Sequence, residues 1–364
     1  MVPMTLARPN VETLMIGPES TVRDAALCID RGARGIALVV DGRRRLLATI
    51  TDGDIRRGLL AGVDLDDPVT VLVQRKEGTR YARPVTAPVG IPRAAVIHLM
   101  KEKGVRHVPL LDAEGRVVEL AALDDLLPDE QLPMQAIIMA GGFGTRLRPL
   151  TDHVPKPMLP VGDKPLLEWI LRSLRGAGIR RVSITTHYKA EQITRYFGDG
   201  SDFGVHLSYV VEEHPLGTAG ALRLLDPPEE PVLIINGDIL TRVDVRAMLN
   251  FHQEHEAELT VAVRPYEHRV PFGVVDCDGP NVCRLVEKPL QTCLVAAGIY
   301  LLSPSVWDLI PAGRPVDMPE LVQAAVAGGR NVVSFPVVEY WRDIGQPADY
   351  AAAQEDVVTG RLAP

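Results

Sequence analysis

The residues able to do chemistry fall in the second half of this 364-residue chain. Gly141-Gly142-Phe143-Gly144-Thr145-Arg146 follows the apolar run Ala136 to Ala140. Its glycines let the backbone take positive φ and approach a ligand closely, and successive amides in such a turn form an anion nest. Thr145 adds a hydroxyl donor and Arg146 a permanent charge suited to phosphate oxygens. Lys156, held between Pro155 and Pro157, is a second cation for phosphate. The apolar strand from Val232 ends in Asn236-Gly237-Asp238, where a carboxylate can hold Mg²⁺ beside a triphosphate. Glu287-Lys288 closes another apolar run, with an acid for a polyol and a base for a phosphate. Asp343, between Trp341 and Gly345, can be a second metal ligand. Each has a plainer alternative: a turn with a surface arginine, a solvated lysine, an Asn-Gly turn, an exposed ion pair, or a cap on the helical pattern Pro347 to Glu355.

The loop is neither of the two common phosphate loops. A Walker loop ends in Gly-Lys-Ser/Thr, and Leu147-Arg148-Pro149 stands here instead. A dinucleotide fingerprint needs a third glycine opening a helix, where this chain has Leu147. Prolines 149, 155, 157 and 160 are expected to keep the next stretch extended. The anion is therefore expected to sit on a loop and basic side chains, with little help from a helix N-terminus.

The elements that must position these residues alternate. Helix patterns run from 163 to 176, 190 to 197 and 218 to 225; strand patterns run from 136 to 140, 181 to 186, 205 to 212 and 232 to 236. Such alternation predicts an α/β domain with a mostly parallel sheet. Ligands then belong at the carboxyl ends of the strands, where the glycine loop and Asp238 both lie.

The first third holds an internal repeat of helix, strand, strand, helix. Copy one reads helix 22–31, strands 36–40 and 46–50 around Asp41-Gly42, then a helix opened by Thr51-Asp52-Gly53-Asp54. Copy two reads helix 92–103, strands 105–111 and 117–121, then Leu123 to Leu127. A polar, proline-flanked linker occupies 128–133, and the second domain starts at about Met134.

Composition excludes several classes. The net charge of −8 argues against a general nucleic-acid binder. The four cysteines form no metal-ligand pattern and read as reduced thiols, which with no signal-peptide core or membrane span predicts a cytoplasmic protein.

The second domain resembles the sugar-nucleotide pyrophosphorylases, nucleotidyltransferases that join a nucleoside triphosphate to a sugar 1-phosphate. Six motifs in family order carry the resemblance: Ala140 to Leu147, Pro155 to Pro160, Pro215 to Gly220, Asn236-Gly237-Asp238, Glu287-Lys288-Pro289 and Trp341 to Pro347. It implies a Rossmann-like, glycosyltransferase-A-like fold with a mixed, mostly parallel sheet. It further implies that Ala140, Gly141, Gly142, Gly144 and Thr145 bind the nucleotide, with Arg146 on its triphosphate and Gly217 and Thr218 against the base. Arg146, Lys156 and Lys288 would be catalytic, and Asp238 and Asp343 would hold Mg²⁺. Gly273, Glu287, Lys288 and Gly298 would bind the sugar phosphate. Motif details look most like guanylyltransferases of the mannose 1-phosphate type, so GTP is the favoured triphosphate. Mannose 1-phosphate and glucosamine 1-phosphate are the candidate sugars, with the lean to glucosamine. The family usually has Asn where Ala296 stands, which leaves the sugar, and a uridylyl- or cytidylyltransferase, open. No hexapeptide-repeat tail is expected after the last helix.

The first third, about 10–70 and 75–127, resembles a tandem pair of α+β CBS regulatory modules, chiefly through Thr51-Asp52-Gly53-Asp54-Ile55-Arg56-Arg57. The resemblance implies that Thr51 and Asp54 contact an adenine nucleotide; a plain helix cap is the alternative. It also implies a homo-oligomer, and it keeps open a catalytically silent nucleotide sensor.

Overall fold

The computed structural model describes residues 11–126, apart from 33 and 80, and residues 131–362. The stretch before Val11 and residues 127–130, which include most of the expected linker, lie outside the described residues.

The repeat is present as read. Copy one comprises the helix Val22–Gly32, the strands Ile36–Val40 and Leu46–Thr51, and the helix Asp52–Leu60; copy two comprises Arg93–Lys103, His107–Leu111, Val117–Ala122 and Leu123–Leu126. Each copy carries a three-stranded sheet, the third strand in each being a two-residue piece, Met15–Ile16 or Ala87–Pro88. The two hairpins meet at the Arg45–Arg116 bridge, over a shared cluster of Leu14, Ile36, Leu38, Val40 and Val117.

The second domain is built on a seven-stranded sheet. Its order is His206–Val211, Arg181–Thr186, Gln135–Met139, Val232–Asn236, Leu290–Leu302, Leu259–Arg269, Val332–Pro336. Four of the six pairings are parallel and two antiparallel. The central strands are apolar along their length because helices cover both faces. One face packs on Leu166–Gly176, Ala190–Phe197 and Val245–Glu254. The other packs on Met318–Ala327 and the turn Pro304–Leu309. Leu132 already belongs to the first of these cores.

Gln135–Met139 and Val232–Asn236 are adjacent and parallel, with chain order reversing between them. A doubly wound sheet opens a crevice at such a switch point. The loops after these strands are the glycine loop and Asn236-Gly237-Asp238.

Three local expectations need correction. The stretch 149–160 is extended only at Pro155 and at Leu159-Pro160 and otherwise forms turns and a 3-10 helix, Lys156–Met158, because proline suits the first turn of a helix as well as a strand edge. The helix expected over 218–225 is one α-turn, Gly217–Gly220, then a 3-10 turn, Ala221–Leu224, with the Ala219 and Gly220 amides given to the Val316 carbonyl at 2.9 Å. The helix over 163–176 begins only at Leu166, after Pro165.

Candidate active site

The glycine loop leaves its strand with the Ala140 amide committed to the Thr185 carbonyl at 3.0 Å, so Ala140 offers no donor. Among the described residues, the amides of Gly141, Gly142, Phe143 and Gly144 donate to nothing. This nest of free donors is open to an anion, but of its three glycines only Gly144 takes the positive φ expected of the loop; Gly141 and Gly142 do not. Gly141 packs against the Glu212 carboxylate: a Cβ there would lie 2.5 Å from Oε1, so any side chain would have to displace Glu212. Gly144 has φ +63° and packs on Thr151 and Lys156. Only one 3-10 turn follows, Thr145–Leu147, so no long helix points its dipole at the nest. The Phe143 ring packs edge-on against His187 at 5.2 Å and pins the loop from outside.

Beneath the nest lies an acidic centre with one lysine. Lys156 is nearly buried, and its Nζ donates to Asp238 Oδ2 at 2.6 Å. It is not a solvated surface lysine. Gly237 lets the two loops close up: its amide donates to the Met139 carbonyl at 2.8 Å, and a Cβ would lie 2.8 Å from that oxygen.

Asp343 reaches the same place through a short ribbon. Ile239–Thr241 pairs antiparallel with Trp341–Asp343, setting Ile239 opposite Asp343, and the Ile344 amide donates to the Asp238 carbonyl at 3.0 Å. Asp343 is therefore a strand end; the cap of the last helix is Gln346, in a capping box with Asp349. Leu147, Leu240 and Ile344 pack in one apolar cluster, which ties the glycine loop to both strands of the ribbon.

Asp238 Oδ1 and Asp343 Oδ1 are both buried with no hydrogen-bond partner, as is Asn236 Oδ1. Burial, with Asp238 nearby, holds the Asp343 carboxyl above the usual carboxylate range, against Lys156 and Arg146. Orphaned buried carboxylate oxygens cost free energy unless something binds them, so the donor set fits a divalent cation. No cluster of three or more His, Cys, Asp or Glu ligands exists among the described residues. Two carboxylates with the remaining positions left to water and phosphate oxygens is how Mg²⁺ is usually held. Arg146 Nη1 and Asp343 Oδ1 both lie within 3.6 Å of the point a Gly345 Cβ would occupy. Arg146 thus stands over the acidic centre, exposed and with no ion pair among the described residues.

A family model for nucleotidyl transferases matches residues 135–360, more than half of the chain. The chain belongs to the nucleotidyl transferase family. A CBS domain model matches residues 7–61 and 80–128. Mannose-1-phosphate guanylyltransferase of Mycobacterium tuberculosis is 37% identical over 238 residues, 64% of this chain and 66% of that protein. Mannose-1-phosphate guanyltransferase of Schizosaccharomyces pombe is 36% identical over 231 residues, 60% of this chain and 62% of that protein. The chain therefore spans just under two thirds of the length of these relatives. A crystal structure from Bacillus anthracis, of a protein provisionally named glucose-1-phosphate thymidylyltransferase and solved with a sucrose, superposes with a TM-score of 0.51 at 25% identity. It covers 61% of this chain and 94% of that one.

The remaining expected residues of this nucleotidyl transferase sit in three places. Gly298, at φ +70°, lies where a Cβ would meet Asn236 Nδ2 at 2.8 Å, so it borders the acidic centre. Gly273, Glu287 and Lys288 form their own group on the hairpin Gly273–Asp278/Asn281–Glu287. A Gly273 Cβ would meet Glu287 Oε2 at 3.0 Å, while Glu287 and Lys288 stand 3.9 Å apart at 66 and 58% exposure. This hairpin is an open arm, and no hydrogen bond or ion pair among the described residues links Glu287 or Lys288 to Asp238 or Asp343. Gly217, at φ +77°, packs on the Val316 carbonyl. The Thr218 hydroxyl donates weakly to Asp317 and accepts from the Met318 amide at 2.8 Å, capping the helix Met318–Ala327. Its hydroxyl thus joins the loop to the first turn of that helix.

In the CBS repeat, Thr51 caps Asp52–Leu60 in a capping box with Asp54. Asp54 accepts from Thr51, Arg57 and Lys76. Burial opposes its ionisation, but Lys76 and the Thr51 hydrogen bonds together hold the carboxyl below its usual range. The carboxylate expected to contact an adenine nucleotide is already engaged by three side chains. Both residues nevertheless line a cavity of about 1050 Å³ between the CBS pair and the catalytic domain.

Sequence reasoning missed the contacts between the halves. Arg56, 1% exposed, donates to the Pro336 carbonyl and to Glu339 at 2.6 Å, and lies 3.9 Å from the Phe335 ring centre. Asp30 holds Arg242 and the Tyr340 amide. The only signal for these was charge in otherwise apolar helix faces. Glu212, wedged on Gly141, was also missed.

Proposed function

We propose that this chain transfers a nucleotidyl group from a nucleoside triphosphate to a sugar 1-phosphate, releasing pyrophosphate. The observation that carries the reading is the pair of orphaned buried oxygens on Asp238 and Asp343, set beside Lys156 and below a free amide nest. The relatives' names favour GTP as donor and mannose 1-phosphate as acceptor. The exposed Ala296, which offers no side-chain hydrogen bond, keeps glucosamine 1-phosphate as the second sugar to test.

The acceptor is already an anion, so no general base is required, and the residues act by positioning and by neutralising charge. The nest from Gly141 to Gly144 and Arg146 bind the triphosphate. Lys156 leaves Asp238 to meet the phosphate charge that develops at the α-phosphorus. Asp238 and Asp343 would hold Mg²⁺, which supplies electrostatic clamping of phosphate oxygens when bound. Glu287 and Lys288 recognise the acceptor from the hairpin arm, Glu287 through sugar hydroxyls and Lys288 through the phosphate.

The CBS pair takes an adenine nucleotide in the cavity lined by Thr51, and the chain works as a homo-oligomer. Its four unpaired cysteines suit the cytoplasm, and no helix among the described residues is long and apolar enough to cross a membrane. Pyrophosphate release over a grid of four triphosphates and several sugar 1-phosphates, with product masses, tests the reading. A productive GTP and mannose 1-phosphate pair supports it; silence across the grid with nucleotide binding intact favours a sensor.

A further inference from the structure

The ribbon that carries both carboxylates at one end is gripped at its other end by the first CBS repeat. Beyond Thr241 the chain continues into Arg242, and the partner strand is entered from Tyr340; there the Arg242 amide donates to the Tyr340 carbonyl at 3.0 Å. Asp30, near the end of the helix Val22–Gly32, reaches both strands at this point. Its Oδ1 accepts from the Tyr340 amide at 3.0 Å and its Oδ2 from Arg242 Nη2 at 2.9 Å. The Asp30 and Arg242 side chains are 19 and 25% exposed, so the pair is largely shielded.

A ribbon of three residue pairs is too short to fix its own geometry in water. The Arg242 amide and the Thr241 hydroxyl tie the strands directly through the Tyr340 carbonyl, each at 3.0 Å, and the Asp30 carboxylate, bonded to the Tyr340 amide and the Arg242 side chain, clamps that junction from the regulatory half. The pairs Thr241–Trp341, Leu240–Arg342 and Ile239–Asp343 span roughly 10 Å between this grip and the acidic centre, at ~3.4 Å per residue. The Trp341 indole, bonded to the Ala297 carbonyl at 2.7 Å, and Arg342, bonded to Asp356 at 2.8 Å, hold the ribbon's flanks. Neither of these comes from the regulatory half, as Asp30 does.

We propose that Asp30 is a positioning residue for the cation site: a carboxylate from the regulatory half that sets the spacing of Asp238 and Asp343. This rests on the reading of those two residues as cation ligands. Asp30 also lines the cavity between the halves, so an occupant of that cavity touches the grip directly. The regulatory pair then acts on the reaction through the cation, and not through the hairpin arm that reads the sugar.

The test is Mn²⁺ binding to the full chain without substrate, read by electron paramagnetic resonance, for wild type, Asp30→Ala, Arg242→Gln and Asp238→Asn. Partners behind metal ligands typically change affinity by about 10- to 100-fold. Asp30→Ala and Arg242→Gln are expected to weaken Mn²⁺ by about tenfold. They should lower kcat and raise the Mg²⁺ needed for half-activation, and leave KM for the sugar phosphate unchanged. Arg242→Gln removes the same bridge from the catalytic side and carries the test if Asp30→Ala does not fold. Wild-type Mn²⁺ affinity in both variants, with Asp238→Asn abolishing binding, overturns the role of Asp30 and leaves the cation site standing. Binding unaffected by Asp238→Asn removes the cation site and this inference with it.

Discussion

Replacing Lys156 with Met should move two quantities in opposite directions. Lys156 Nζ lies 2.6 Å from Asp238 Oδ2, with the two side chains only 11 and 23% exposed. Two unit charges at 4 Å attract by about 4 kcal/mol at an effective dielectric near 20, and the net value of a charge-assisted hydrogen bond is about 1.5–3 kcal/mol. A divalent cation that binds Asp238 must displace that contact. Its removal should therefore tighten Mg²⁺ or Mn²⁺ binding to the free protein by about tenfold to a hundredfold, since ~1.4 kcal/mol is one decade. The same change deletes a preorganised cation from the reacting phosphates, worth about 3–4 kcal/mol, so kcat should fall by about a hundredfold to a thousandfold. Titration calorimetry with Mg²⁺ and pyrophosphate release on one preparation measure both. Weaker metal binding, or unchanged kcat, in Lys156→Met refutes the reasoning, because either result means the lysine is not poised between carboxylate and phosphate.

Three further substitutions follow from particular contacts. Gly237→Ala places a Cβ 2.8 Å from the Met139 carbonyl, a backbone clash expected to cost about 1–3 kcal/mol and to push Asp238 away from the nest; urea unfolding and pyrophosphate release should both register it. Thr218→Val removes the hydroxyl that accepts from the Met318 amide and should cost about 1 kcal/mol of stability, with KM for the triphosphate moving less than about twofold; a large rise in that KM would return the side chain to the base. Burial, with Glu339 nearby and Arg56 opposing, pushes the Asp52 carboxyl up to about 8. A raised folded-state value means stability is fully present below the ordinary carboxylate range and is lost as pH rises through about 8. The melting temperature should thus fall between about pH 4 and pH 8 and level off above that, and Asp52→Asn should flatten that slope, apart from a remainder from Asp244, whose carboxyl burial also raises.

The parts of this account that were legible in the sequence are those set by local pattern. The strand running into Gly141-Gly142-Phe143-Gly144 and the repeat of helix, strand, strand, helix follow from apolar periodicity and turn residues, and the structure places them as read. The fate of the prolines at 155 and 157 was not legible, because a fixed φ serves a 3-10 turn and an extended stretch alike. Thr51 and Thr218 show a second limit: a hydroxyl before a helix, as at Thr51, reads equally as ligand contact or cap, and the bond that Thr218 accepts from the Met318 amide a hundred residues away has no local signal at all. The pairing of Asp343 with Asp238 spans about a hundred residues and depends on a ribbon too short for any periodicity to announce. Arg56 and Asp30 were invisible for the same reason, since their partners Glu339 and Arg242 lie in the other half of the chain.

The most direct test of the central claim is pyrophosphate release from GTP and mannose 1-phosphate with Mg²⁺, comparing wild type with Asp238→Asn and Asp343→Asn, with GTP binding measured on the same samples. The account predicts turnover that requires both sugar phosphate and Mg²⁺ in the wild type, and a loss of at least about a hundredfold in each variant with GTP still bound. Wild-type turnover that survives both substitutions would contradict it.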